Sequence, residues 1–294
     1  MLFNQNFQQH LNECFTRFFD EPVLINHADA VPGGDISQTC ILHTNKGKYF
    51  IKINAALFGL DFFEKEAKGL VTLANAGALK VPRPLFDGKF HQQIYLVMEY
   101  LEAGQMVPDF WEVFGRSMAT LHQHTRPMFG LDFDNYIGKL HQANADKQTW
   151  HEFYANQRIM PLIYKAEKNK MLDSANVALA EQFCARLSSL IPEENPALLH
   201  GDLWKGNFVV HETGHAAIFD PSAYYGHREM DLAITRLFGG YDEKFYQAYE
   251  EAFPLQPGHH DRLDIFQLYH LIAHLLLFGG HYRDQVVAIL KKYD

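Results

Sequence analysis

The period of apolar and polar positions changes near residue 100. In residues 4–19, Phe7, Leu11, Phe15 and Phe18 recur at three- and four-residue spacing, which predicts an amphipathic helix. After Pro22 the chain turns to short β-rich runs, VLINHADAV, ISQTCILHT and KYFIKIN, separated at Gly33-Gly34 and at Asn45-Lys46-Gly47. These predict consecutive antiparallel strands. Residues 61–77, DFFEKEAKGLVTLANAG, return to helical spacing, with Asp61 as the expected N-cap and Gly77 as the stop. The apolar run QQIYLVMEYL follows and is counted as a fifth strand.

Beyond residue 105 the pattern is mostly helical, over 109–124, 149–168, 174–190, 229–238, 242–253, 261–278 and 281–293. Short β-type runs, LLH, FVV and AAIFD, interrupt it between 198 and 220. LFGGY at 237–241 and LFGGHY at 277–282 read as helices closing on glycine. The predicted class is α+β: a five-stranded antiparallel sheet with a helix in residues 1–100, and a larger helical part in 101–294. No low-complexity linker divides the chain, so the two parts should share an interface.

Composition narrows the function. With 47% apolar and 21% charged residues, the 294-residue chain has the profile of a folded globular protein. The net charge of −9 is uneven: residues 1–100 hold 9 Lys/Arg against 10 Asp/Glu, and the remainder holds 17 against 25. An acidic larger part disfavours nucleic acid and tolerates a cationic small molecule. Three scattered cysteines form no disulfide framework or zinc knuckle. MLFNQNFQQH is not a secretory signal, and no apolar stretch is long enough to span a membrane, so a cytoplasmic setting without membrane partners is expected. The oligomeric state is left open, with a monomer favoured.

The candidate chemistry lies in LHGDLWKGNFVV, residues 199–210, followed by IFDP at 218–221. The H-x-D-x-x-x-x-N spacing is that of a loop in which Asp202 accepts a hydroxyl proton, while Asn207 and a later aspartate, Asp220, hold Mg²⁺ on nucleotide phosphates. Such oxygen ligands suit Mg²⁺. His200 is expected to be structural. Upstream, Lys52 lies inside an apolar strand, where an unpaired charge is costly. Glu66 on the next helix could hold it on the phosphates, with Glu64 as the competing choice; the alternative is a solvent-facing edge lysine. Gly33 and Gly34 could bring backbone N–H groups to phosphate, although such pairs are commonly plain hairpin turns. Near Met98, Glu99 and Leu101 an adenine ring could bond exposed backbone, or the run is simply a core strand.

These residues resemble the protein-kinase-like superfamily and, within it, the fructosamine kinase (ketosamine-3-kinase) family. The resemblance covers nearly the whole chain: GGDIS, the Lys52 strand, FFEKEAKGL, HGDLWKGN and, most specifically, FDPSAYYGHREMDLA at 219–233. It implies a two-lobe kinase-like fold using ATP and Mg²⁺, with Asp202 as catalytic base, Asn207 and Asp220 on the metal, and Lys52 with Glu66 on the phosphates. It further implies that Asp231 bonds the catalytic-loop backbone and that Trp204 lies near the sugar. The implied reaction is phosphorylation of a ketoamine, small or protein-bound, at its 3-hydroxyl, giving an unstable phosphate that releases the amine. Departures are Lys205, where many relatives have a small residue, and Asp35, where some have cysteine.

Trp204, Tyr224 and Tyr225 suit a sugar-like acceptor, since ring faces pack on C–H surfaces and phenols bond hydroxyls; alternatively the two tyrosines are core. His227, Arg228 and Glu229 read as a structural cluster, and His270 and His274, i and i+4 on a helix without the zinc-protease Glu, as core histidines. Two rival functions are an aminoglycoside- or choline-type kinase and a catalytically silent nucleotide-binding module.

Overall fold

The computed structural model describes residues 4–32, 37–59 and 61–293. Helix α1 (Gln5–Phe19) starts at Asn4, whose side chain accepts from the Phe7 N–H at 3.0 Å, and ends at Asp20 in the left-handed region. Its face Phe7, Leu11 and Phe15 is buried. Phe18, expected on that face, is 41% exposed because a fourth apolar position overruns the stripe that the sheet can cover.

The sheet is formed by β1 (Ile25–Val31), β2 (Gln38–Thr44), β3 (Gly47–Ala55), β4 (Pro84–Phe90) and β5 (Gln93–Glu99) in the order β1-β2-β3-β5-β4, antiparallel throughout. Alternation along β3 sends Ile51 and Ile53 into the cluster under α1, and Lys52 to the opposite face. The sequence pattern did not locate β4. Its PLFDGKF has proline at the start and glycine inside, which an edge strand tolerates. Helix α2 (Phe62–Asn75) covers the Lys52 face with Phe63, Leu70 and Leu73. Gly77, at φ +65°, stops it as expected. Asp61 occupies the N-cap position, yet its side chain caps nothing and instead accepts from the Tyr136 hydroxyl at 3.2 Å.

Helix α3 (Phe110–His122) begins the larger part. The hairpin β6 (Asn135–Ile137) and β7 (Leu140–Gln142) precedes the segment expected to be one helix over 149–168. That segment is α4 (Trp150–Phe153), a π-helical stretch Tyr154–Ile159, and α5 (Met160–Lys168). The widened turn brings Arg158 into the interior. Then come α6 (Ser174–Leu190), β8 (Ala197–Leu199), β9 (Phe208–Val210), β10 (Ala216–Ile218) and β11 (Tyr224–Gly226). Last are α7 (Glu229–Leu237), α8 (Glu243–Ala252), α9 (Leu263–Phe278) and α10 (Arg283–Lys292).

Two apolar clusters organise this assembly. One surrounds α9, which is buried on nearly every side from Ile265 to Leu276. The other joins α2 and the sheet to α3, β10 and α8. It is the shared interface expected from the absence of a linker. At the α3–α8 crossing a side chain on Gly115 would lie 2.2 Å from the Phe245 carbonyl, so glycine is required there. No helix among the described residues is long and apolar enough to cross a membrane.

Candidate active site

The site lies where the Lys52 face of the sheet meets the β8–β11 segment. Lys52 is buried, and its Nζ donates to Glu66 Oε1 at 2.7 Å and to Asp220 Oδ1 at 2.9 Å. Burial alone would lower its pKa, but the carboxylates of Asp220 and Glu66 outweigh that and raise it, so the side chain is a firm cation. Glu64 points away and pairs with Lys68 on the surface. The helical period decides between the two glutamates: two residues along α2 is more than half a turn.

Asp220 ends the run after β10 with φ +56°, a left-handed conformation that is uncommon for a non-glycine residue and is tolerated where surroundings enforce it. Here the enforcement is visible. The Phe219 N–H donates to Asn207 O at 3.1 Å, the Phe219 carbonyl accepts from His200 Nε2 at 2.9 Å, and Lys52 holds the carboxylate.

The loop 200–207 is fixed from beneath by Asp231, fully buried at the start of α7. Its Oδ2 accepts from the His200 N–H at 2.7 Å and its Oδ1 from the Gly201 N–H at 2.8 Å. Burial would push the Asp231 carboxyl up, but His122, His200 and the Gly201 N–H hold it below the ordinary value, and it stays ionised. His122 Nε2 is 3.3 Å from Asp231 and its Nδ1 is 2.8 Å from the Tyr249 hydroxyl. His200, kept neutral by burial, accepts at Nδ1 from the Asp202 N–H and donates at Nε2 to Phe219. From the far side His270, kept neutral by burial with a pKa of about 4, donates to Gly201 O at 3.0 Å. Gly201 has φ +83°, and a Cβ there would lie 2.2 Å from Ser222 O.

Asp202 is half-buried, with its carboxylate 3.1 Å from Asn207 Nδ2, which also donates to the Asp202 carbonyl at 2.8 Å. Burial and the charge of Asp220 push its pKa up to about 7, against the partial relief given by Asn207. Asp202, Asn207 and Asp220 thus bring oxygen donors and an excess of negative charge together. That combination fits a hard divalent cation such as Mg²⁺.

The aromatic residues separate. Trp204 is 37% exposed beside Asp202, its carbonyl accepting from the Asn207 N–H at 3.0 Å, and its indole lies over Gly206, where a Cβ would be 2.2 Å from the ring. Tyr225 is half-buried, with Arg126 over its ring. Tyr224 corrects the expectation of a substrate contact: it is fully buried against Phe153 and 4.0 Å from the Arg158 guanidinium, so no acceptor reaches its ring. The core alternative holds there because β11 pairs with β8 and turns Tyr224 inward.

Met98 is buried at the end of β5, and Leu101 is half-buried beyond it. The Glu99 carboxylate turns to Lys80 and to the Arg83 N–H, and its own N–H donates to Arg83 O at 2.8 Å. Gly33 and Gly34 lie outside the described residues. Arg228 is paired with Glu194 and Arg262 with Glu229, the structural cluster expected around GHRE.

Sequence reasoning missed the support beneath the Asp220 loop. Arg158 donates to Asn144 Oδ1 at 2.7 Å, Asn144 to Asn135 Oδ1 at 3.0 Å, and Asn135 to Ala223 O at 2.8 Å. Gln142, held by the Tyr269 hydroxyl at 2.6 Å, donates to Asn135 Oδ1 at 2.7 Å and to Ser222 O at 3.2 Å. Buried polar side chains must be partnered, so this network fixes the residues after Asp220. Polar positions in short strands and one arginine in a helical pattern gave no periodic signal. His122 likewise carries no spacing that distinguishes it among the seventeen histidines.

Comparison with known proteins places this arrangement. A family model described as fructosamine kinase matches residues 7–293. A probable ketoamine kinase of Synechocystis sp. is 37% identical over 275 residues, covering 92% of this chain and 92% of that protein. The ketosamine-3-kinase of Mus musculus is 33% identical over 288 residues, covering 88% of this chain and 92% of that protein. The crystal structure of a proposed fructosamine-3-kinase from Haemophilus somnus 129PT superposes with a TM-score of 0.88 at 26% identity, covering 96% of each chain. With the Lys52–Glu66–Asp220 cluster beside Asp202 and Asn207 in a chain matched over residues 7–293, the protein belongs to the fructosamine kinase family.

Proposed function

We propose that this protein is an ATP- and Mg²⁺-dependent kinase that phosphorylates the 3-hydroxyl of ketoamines, free or attached to protein, and so starts their breakdown to the parent amine. The observation that carries this reading is the cluster Lys52, Glu66 and Asp220 beside Asp202, within a family whose members are named for ketoamines.

In this reading Asp202 receives the acceptor hydroxyl against its carboxylate. It accepts the proton as that oxygen bonds the γ-phosphorus and ADP departs. A base with a pKa near 7 both holds the hydroxyl by a hydrogen bond and takes its proton at neutral pH. Lys52, oriented by Glu66, places a fixed positive charge on the phosphates. The Asn207 amide nitrogen is occupied by Asp202, which leaves its carbonyl oxygen, with the Asp220 carboxylate, to hold Mg²⁺. Bound there, Mg²⁺ supplies charge neutralisation of the phosphates. Trp204, exposed beside Asp202, offers its face to the sugar. Backbone near Glu99 and Leu101 receives the adenine, with Met98 behind it, and Gly33-Gly34 covers the phosphates.

We divide the chain near residue 100, into a nucleotide-binding lobe 1–100 and a helical lobe 101–294 bearing the catalytic loop and the acceptor side. Free Cys14, Cys40 and Cys184 suit a reducing cytoplasm. The test is phosphate transfer from ATP to fructosyl-lysine, ribulosyl-lysine and an aminoglycoside. Turnover on the ketoamines with a phosphate at the 3-position supports the reading. Turnover on the aminoglycoside alone, or nucleotide binding with no ADP from any acceptor, overturns it.

A further inference from the structure

Edge strand β1 and its neighbour β2 carry a feature that phosphoryl transfer does not use. His27 and Asp29 on β1 and His43 on β2 lie on one face of the ribbon, because i and i+2 share a face and His27 is directly across from His43. The two imidazoles stack with centroids 4.0 Å apart and an interplanar angle of 13°. His43 Nε2 is 2.9 Å and His27 Nε2 3.8 Å from the same oxygen, Asp29 Oδ2, and the three donor atoms all fall within 4.8 Å of one another. A tetrahedral ion with bonds of about 2.0–2.1 Å needs donors about 3.3 Å apart, a spacing these two distances bracket.

Charge points the same way. One carboxylate faces two imidazoles, and the neighbouring cation, Lys48, across the ladder from His43, is committed to Glu102 at 2.8 Å. His27 and Asp29 are more than half exposed and His43 about a quarter, so an entry path and open coordination positions for water exist. Two nitrogen donors and one oxygen select an imidazole-preferring ion over Mg²⁺, which prefers oxygen alone.

We propose that His27, Asp29 and His43 form a binding site for a divalent transition metal of the Zn²⁺ class, separate from the phosphotransfer centre. The register Thr39 to Lys52 and His43 to Lys48 puts it on the same sheet face as Lys52, toward the end of the β1–β2 ribbon where Ile25 pairs with Thr44. A bound ion would pin β1 to β2 and stiffen the edge of the sheet. This inference does not rest on the kinase reading.

The test is Zn²⁺ titration of the chelator-treated full-length protein in excess Mg²⁺, followed by calorimetry, with Co²⁺ absorption as a second probe. One equivalent should bind in the wild type and raise the melting temperature. His27→Ala and His43→Ala should each weaken binding at least about tenfold and remove the Co²⁺ signal, and Asp29→Asn should weaken it less. A double His259→Ala/His260→Ala variant, altering another adjacent surface pair, should bind as the wild type does. Because His27 and Asp29 are more than half exposed, the metal-free His27→Ala and Asp29→Asn variants should melt as the wild type does. A wild type that takes up no zinc, or an undiminished site in the His27→Ala/His43→Ala double variant, overturns the proposal.

Discussion

Lys52 and Asp220 are 168 residues apart in the chain, yet the ammonium of one lies 2.9 Å from the carboxylate of the other. This contact joins the sheet to the segment that carries Asp202 and Asn207. With Glu66 at 2.7 Å it makes a buried cation shared between two carboxylates. Breaking a buried pair strands a charge, so the cluster should resist substitution more strongly than any surface pair.

Lys52→Met should lower kcat by about 10²-fold or more, the scale expected when one preorganised electrostatic contact is lost. Glu66→Gln should act in the same direction but less, since Asp220 still holds the ammonium. Steady-state kinetics with varied ATP checks both, and near-normal turnover of Lys52→Met would remove Lys52 from the mechanism.

Asp202 makes linked predictions for rate and stability. Its folded pKa of about 7 lies above the ordinary 3.8, so the unfolded chain ionises first and folding stability contributed by this group declines between about pH 4 and 7. Asp202→Asn removes that decline: it should melt higher than the wild type at pH 7 and above, with the difference vanishing near pH 4. Each kcal/mol gained should raise the melting temperature by about 2–4 °C. The same substitution should lower turnover by orders of magnitude. In the wild type the rate should rise with pH as the carboxyl ionises, and raising the Mg²⁺ concentration should move that limb to lower pH, because a cation favours the carboxylate. A rate independent of pH from 5 to 8 at low Mg²⁺ would exclude Asp202 as the titrating base.

Arg158 is fully buried and bonds Ala143 O at 2.6 Å as well as Asn144. Arg158→Leu leaves both acceptors unpaired, at about 1–3 kcal/mol each. Denaturant unfolding should show a loss of about 2–6 kcal/mol over the two acceptors, with faster hydrogen exchange in residues 222–224, where the network holds the Ser222 and Ala223 carbonyls. Unchanged stability would mean that the network is dispensable.

Trp204→Ala should raise KM for the acceptor several-fold and leave KM for ATP unchanged, consistent with about 0.5–1.5 kcal/mol for one aromatic face. The same substitution at Tyr224 should instead destabilise the whole protein, since that ring is core. Equal effects of Trp204→Ala on both KM values would place the indole away from the acceptor.

What the sequence determined by itself is what short-range physics controls. Three- and four-residue spacing gave α1 and α2, alternation gave β1 to β3, glycine stopped α2 at Gly77, and the fixed spacing from His200 through Asp202 to Asn207 marked the loop. Such signals sit within a turn or a strand, where backbone geometry leaves few alternatives. Tertiary structure decided whatever depends on which face meets which partner. It buried Tyr224 and left Trp204 exposed, widened a predicted helix around Arg158, brought Asp220 against Lys52, and placed His122 under Asp231. Each of these pairs residues from distant parts of the chain, and the free energy of burying one side chain against another is not written in the spacing of either.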